Sequence, residues 1–545
     1  MLKNRFKEKV NLFSILSIVI GIVILLPLVN ILFELFNPST PIWEHIKEYL
    51  LVEYITNSII MIVMVAAISI LIGFSSAYFV SRYEFKGRRW LSWMLALPLA
   101  VPSYIAAYIY ADMTSFTGTL SRMLRFFGIN SQIDIMNIFG ASLIFSFTLF
   151  PYIYLLTLSS LSKQSASYTE SATLLGANRW KRLFSITLPL ARPALIAGSL
   201  LVILETLNDY GVVQYFNVRV FSFAIFNAWF TLGDVMSAIR LSAYLMLIVF
   251  TVILVEKALR GRRQYSLHAK TKGIKRRKIK GLKHVGVVSF LWGILLFGFI
   301  IPVSQLIWYA SLTYQNTLNN KLLFSSINTV INAIIAGIII LMMALMMSNF
   351  NRMQNKSKIS RVWTRLSNLG YAIPGAVIAV AVHVFFVDLD RLLAPIYRIT
   401  HPNGPVLVIT LSIFTLIFSY VLRFLSIGFN SVESQYEKIG KKFTESAYVL
   451  GSSKLNALIR VDIPLILPGL VSAFILVFID VIKELPLTLI LRPANYDSLA
   501  TIIYVYARDE RIQDSSIPSL ILITIAAILV YLFTHHRKGM LNDVY

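Results

Sequence analysis

Long apolar runs divided by short polar ones set the pattern of this chain. Twelve stretches of membrane-spanning length fall near 13–35, 57–81, 91–111, 140–160, 191–214, 241–258, 285–308, 325–349, 367–387, 405–428, 466–490 and 516–534. About 20 apolar residues carry a helix across the hydrocarbon of a bilayer. A backbone in lipid must satisfy its own hydrogen bonds, so these runs predict transmembrane helices. The first follows a short basic segment (Lys3, Arg5, Lys7, Lys9), is too long for a signal-peptide core and has no convincing cleavage site, so it reads as a span. Segments 215–240 and 491–515 are too polar to cross and too apolar to be free loops. They are expected as short interfacial helices on the outer surface.

One stretch occurs twice. Residues 168–195 and 443–470 align Glu170 with Glu445, Gly176 with Gly451, Pro189 with Pro464 and Pro193 with Pro468, each pair 275 positions apart. A fixed offset across matched punctuation residues means a duplicated architecture. The expected fold is therefore an all-α integral membrane protein of about 12 transmembrane helices in two homologous six-helix halves, 1–256 and 285–545, joined by a basic linker over 257–284. In each copy, Thr169 or Thr444 can cap a short helix that carries an acid in its first turn, and Gly176 or Gly451 can end it in a left-handed conformation. A basic amphipathic segment then leads to a proline that opens the next span.

Composition sharpens this reading. Hydrophobic residues make up 57% of the chain and charged residues 14%, with a mean hydropathy of +0.72. That excludes an ordinary soluble domain. The net charge of +24 raises nucleic acid as a partner, but the distribution removes it. With the N-terminus inside, most of the 50 Lys and Arg, including twelve in 257–283, fall on the cytoplasmic side together with both duplicated loops. This is the positive-inside pattern, with both termini cytoplasmic. There is no Cys, so disulfides and cysteine metal sites are excluded. No Gly-x-x-x-x-Gly-Lys-Ser/Thr phosphate loop occurs, and no nucleophile–His–acid arrangement can be assigned.

The duplicated stretch resembles the cytoplasmic signature of permease subunits of binding-protein-dependent ABC importers: Glu-Ala-Ala, then Gly, then Ile-x-Leu-Pro. Glu170, Ser171, Ala172, Gly176, Ile186, Leu188 and Pro189 match it closely. Glu445, Ser446, Ala447 and Gly451 match as well, but Val461 and Ile463 fill the aliphatic places with Asp462 between them. The resemblance implies a type I importer permease in the inner membrane of a prokaryote. The loops near 168–190 and 443–465 would be coupling helices docking on an ATP-binding cassette ATPase dimer, which binds the ATP and Mg and is the only enzyme. An extracytoplasmic solute-binding protein would deliver substrate, and the halves would move by alternating access.

Ionisable residues inside spans are costly and tend to be functional. Glu205 and Asp209 follow the first signature, and Asp480, Lys483 and Glu484 follow the second, with Glu205/Asp480 and Asp209/Glu484 again 275 apart. Their i, i+4 spacing puts each acid pair on one helix face. Two readings stand: oxygen ligands lining a path for a hard cation, or a structural network in which Lys483 neutralises an acid. The residues around LNDYG and KELPLTLILRP resemble the fused permeases of ferric-iron importers, while relatives importing thiamine, phosphonates, polyamines or sulfate share the signature loop. A rival class is an ion-driven secondary transporter with two parallel halves. Pro102 and Pro374, in the third span of each half, read as packing kinks, and His383 reads as structural.

Overall fold

The computed structural model describes residues 38–129, 133–162, 171–260, 276–353, 369–400 and 404–542, with scattered positions between 19 and 36. Most of the first apolar stretch, Glu170, Thr169 and linker residues 261–275 lie outside that set. Numbered here in chain order, the first half contains α1 (Pro41–Arg82), α2 (Ser103–Thr114), α3 (Ile138–Ser162), α4 (Leu188–Asn208), α5 (Gly211–Tyr215), α6 (Phe221–Phe226) and α7 (Val235–Arg260). The second contains α8 (Leu282–Thr317), α9 (Asn320–Met353), α10 (Gly375–Thr400), α11 (Ile413–Ile439), α12 (Lys442–Val449), α13 (Ile463–Lys483), α14 (Pro486–Leu491), α15 (Leu499–Arg508) and α16 (Ser516–Asn542).

Among the described residues nine helices are long and apolar enough to cross a membrane, or ten if a pair bent by 87° is one span. Three of the twelve expected stretches account for the difference. The first falls mostly outside the described residues. The third is the bent pair, broken at Pro102 between Arg88–Ala100 and Ser103–Phe126. The ninth forms α10, whose middle carries Asp388, Asp390 and Arg391. Neither proline is a kink within a continuous helix: Pro102 immediately precedes α2 and Pro374 immediately precedes α10.

Polar side chains enter these helices by bonding backward along their own backbone. Ser76 Oγ donates to Ile72 O, Ser146 Oγ to Ser142 O and Thr206 Oγ1 to Val202 O, each at 2.7–2.8 Å. Small residues let backbones approach. A Cβ on Gly73 would lie 2.9 Å from Ile153, and one on Gly428, which matches Ile153 at the 275 offset, would lie 2.7 Å from Ile340. Each half thus uses a glycine to let two helices approach closely, Gly73 in the first and Gly428 in the second.

The two cores are shared rather than separate. One buried cluster joins α9, α10, α11 and α13 of the second half to Phe221–Ala228 and Ala238–Val249 of the first. The other joins α1, α2, α3 and α4 to Leu291–Leu306, Leu499–Ile503 and Ile523 of the second. This corrects the placement of the outer segments. Helices do form at Phe221–Phe226 and Leu499–Arg508, but Phe221, Ile225, Leu499 and Ile503 are at most 1% exposed, so these helices are packed inside the cores. Their backbones are pinned by matched hydroxyls: Phe221 N–H donates to Ser58 Oγ at 3.2 Å and Leu499 N–H to Thr329 Oγ1 at 2.8 Å. The end of the linker is held too, as Arg277–Lys278 pairs in parallel with Tyr83–Glu84, a two-residue exception to an otherwise helical protein.

Candidate translocation path and coupling surface

The fifth span of each half does not run on as the apolar pattern suggested. α4 ends at Asn208 and α13 at Lys483, and the next residues, Asp209 and Glu484, turn to extended backbone (ψ 128° and 114°). Each acid then accepts from the first turn of the short helix that follows: Val212 N–H to Asp209 Oδ1 at 2.8 Å, and Leu487 N–H to Glu484 Oε1 at 3.1 Å. The i, i+4 pairs are therefore not two carboxylates on one helix face. In each half one acid is on the helix and the other sits at its broken end.

These breaks converge. Glu205, Asp209, Asp480, Lys483 and Glu484 all line one cavity of about 70 Å³ between the halves, together with Pro102, Ser103, Tyr104, Thr148, Asn208 and Arg423. Arg423, on α11, is the residue that sequence reasoning missed, although an arginine inside the 405–428 run was its signal. Its Nη1 donates to Glu484 Oε1 at 3.1 Å, both side chains being only 4% exposed, and to Asn208 Oδ1 at 2.6 Å. Asn208 also accepts from the Gly375 backbone N–H at 2.6 Å, which ties the halves together. Lys483 pairs with Asp480 at 3.3 Å. Six ionisable groups, four acidic and two basic, thus give the cavity a formal charge of −2. The Tyr104 hydroxyl, also on the wall, is buried with no hydrogen-bond partner among the described residues. Those residues contain no group of three or more His, Asp or Glu able to hold a metal ion. His383 packs edge-on against Trp229 at 4.9 Å.

The duplicated loops share one geometry. Gly176 and Gly451 have φ of 76° and 83°. Ala177 N–H bonds Ala172 O and Gly176 N–H bonds Thr173 O, while Ser452 bonds Ala447 and Gly451 bonds Tyr448 in the same way, at 2.9–3.0 Å. These are paired Schellman endings, which is why a residue tolerant of positive φ stands there. Ser171, Glu445 and Ser446 are exposed, Ala172 is buried and Ala447 lies between. The threonine cap is corrected in the second copy: Thr444 is buried and bonds Asp462 Oδ1 at 2.5 Å. The tips carry a signal not singled out from sequence. Leu174, Leu175, Val449 and Leu450, matched at the 275 offset, are 86–89% exposed beside basic segments.

Duplicated spans around a shared polar cavity, with two apolar knobs on the basic side, define a membrane-embedded transport component. The chain belongs to the binding-protein-dependent transport system inner membrane component family, whose model matches residues 69–257 and 340–538. It is the non-catalytic membrane subunit of an ABC importer, and membership implies an ATPase and a binding protein as partners. It is similar to the Fe(3+)-transport system permease protein FbpB 2 of Haemophilus influenzae, at 24% identity over 95% of this chain and 97% of that one. The spermidine/putrescine transport system permease protein PotB of the same species is 32% identical over 33% of this chain and 60% of its own length. The sulfate transport system permease protein CysT of Escherichia coli is 27% identical over 36% and 69%.

Proposed function

We propose that this chain is the permease of an ATP-driven importer of ferric iron, taking the ion from an extracytoplasmic binding protein and passing it to the cytoplasm by alternating access. The observation that carries this reading is the convergence of Glu205, Asp209, Asp480 and Glu484, two from each half, on one cavity with a formal surplus of negative charge. Carboxylates and a phenol oxygen suit a hard cation and oppose sulfate or a phosphonate. At about 70 Å³ the cavity has room for a few waters or an ion, well below the ~300 Å³ of pockets that enclose organic ligands such as thiamine or a polyamine. The likeness to the Haemophilus influenzae Fe(3+) permease runs nearly end to end, whereas PotB and CysT match about a third of the chain.

Energy enters through the loops. The exposed pairs Leu174/Leu175 and Val449/Leu450 are the faces that dock on the ATPase dimer, with Glu170, Ser171, Ala172 and Gly176 in one loop and Glu445, Ser446, Ala447 and Gly451 in the other. Burying a side chain of this kind is worth ~1.5–3 kcal/mol, a favourable term set against the cost of association. Both termini are cytoplasmic: a reporter fused after Gly261 is expected inside and one after Asn319 outside. The function is tested by reconstituting the chain with its ATPase in proteoliposomes and supplying ferric iron on the binding protein. ATP-dependent iron uptake is expected. Uptake of sulfate or spermidine in its place, or transport driven by an ion gradient without ATP, would overturn the reading.

A further inference from the structure

The second signature stretch carries an acid, Asp462, where its aliphatic pattern has no need of one. In the fold this residue is 3% exposed and sits at the end of a π-helical turn, Leu458–Asp462, just before α13. Its Oδ1 accepts from Arg352 Nη1 at 3.0 Å and from Thr444 Oγ1 at 2.5 Å. The same guanidinium bonds Gly440 O at the end of α11 and lies over the Tyr436 ring at 4.7 Å. One buried charge pair therefore fastens four pieces together: the end of α9, the end of α11, the coupling helix α12 and the start of α13.

The first half has the same place without the charge. Thr187 stands 275 positions before Asp462, at the end of the matching turn Leu183–Thr187, and the arginine at the end of α1, Arg82, reaches its hydroxyl at only 3.5 Å. A charge-assisted bond is shorter and roughly twice as strong as a neutral one. At this position, then, the second half has a charge-assisted contact where the first has a bond to a hydroxyl.

We propose that Arg352, Asp462 and Thr444 form a latch that positions the second coupling helix, so that its displacement by the ATPase is transmitted as one body to α9 and α13. These are positioning residues: they touch neither the translocated ion nor the ATPase. The second arm of the test below rests on the function proposed above, while the first does not.

The absence of cysteine makes spin labelling direct, since two introduced cysteines are the only thiols. With labels at Ser446→Cys on α12 and Ile338→Cys on α9, separated by roughly 20 Å of helix or more, the chain alone in lipid nanodiscs is expected to give a narrow distance distribution. Asp462→Thr, which copies the first half, should broaden it, as should Arg352→Met with Asp462→Thr, which leaves no lone buried charge. Equal widths in all three would overturn the latch whatever the protein transports. In the second arm the unlabelled variants are reconstituted with the ATPase and iron-loaded binding protein. The expected result is a fall of about fivefold in iron moved per ATP hydrolysed, with hydrolysis itself retained, the scale of effect seen for residues along a coupling chain. That ratio is independent of how much protein folds. An unchanged ratio would overturn the positioning role, and absence of ATP-driven iron uptake in the unmodified complex would contradict the proposed function instead.

Discussion

The two halves meet at the central cavity with the same skeleton and different charge. The first contributes Ser103, Thr148, Glu205, Asn208 and Asp209; at matched positions the second contributes Arg423, Asp480, Lys483 and Glu484, with Gly375, the match of Ser103, packed behind Arg423 and Glu484. Both pairs of acids and both helix breaks are common to the halves. Both cations belong to the second, where each is paired with an acid of its own half. The first presents two acids and no cation, and in place of the Arg423 contacts it has a hydroxyl pair, Ser103 Oγ and Thr148 Oγ1 at 2.9 Å. Counted formally, the second wall of the cavity is charge-balanced and braced, and the first carries the negative surplus. The halves share the frame and differ in charge at two positions, 423 and 483.

The largest effect that sharpens this contrast is at Arg423. Arg423→Met leaves Glu484 buried without its cation and should cost ~3–5 kcal/mol. Thr148→Val, the matched change in the first half, should cost ~1 kcal/mol. Thermal unfolding of the purified chain, followed by tryptophan fluorescence, measures both. Arg423→Met with Glu484→Gln should recover much of the loss, and equal costs for the two single changes would erase the distinction between the walls.

A smaller difference is expected at Gly375. An added Cβ would press on Arg423 Nη1 and come within 2.7 Å of Glu484 Oε1 and 3.0 Å of Asn208 Oδ1. Gly375→Ala should cost ~1–3 kcal/mol by overpacking, against about 1 kcal/mol or less for Ser103→Ala. The same unfolding measurement, with iron uptake beside it, distinguishes them.

The coupling loops set a limit to the contrast, because here the halves should behave alike in stability. A Cβ at Gly176 or Gly451 meets nothing within 4 Å, so only positive φ resists substitution. Gly176→Arg and Gly451→Arg should each cost ~1 kcal/mol in stability while abolishing co-purification of the ATPase. Normal uptake in both variants would remove the loops from the docking surface.

Much of this was legible in sequence, for identifiable reasons. The repeat declared itself because Gly176 and Gly451 stand where φ is positive and Pro189 and Pro464 where a helix begins, places that backbone geometry reserves for few residue types. The acids were legible because a charge in an apolar run is conspicuous. Their arrangement was not, because i, i+4 spacing looks the same in a continuous helix as across a break, and the break at Asp209 or Glu484 has neither Gly nor Pro at the residue itself. The partner of Glu484 was hidden because Arg423 comes from another helix, 61 residues away. The outer helices at Phe221 and Leu499 were expected at the surface because apolar composition does not reveal what covers a segment, and here the opposite half does.

The most direct measurement is iron uptake by a variant in which only the first wall is neutralised. Glu205→Gln with Asp209→Asn keeps shape and hydrogen bonding while removing the negative surplus, and it leaves the Arg423–Glu484 and Lys483–Asp480 pairs in place. Reconstituted with the ATPase and iron-loaded binding protein, this variant is expected to assemble and hydrolyse ATP yet move iron at least about tenfold more slowly, a barrier change of ~1.4 kcal/mol. Uptake at the unmodified rate would contradict the assignment of the first wall as the passage.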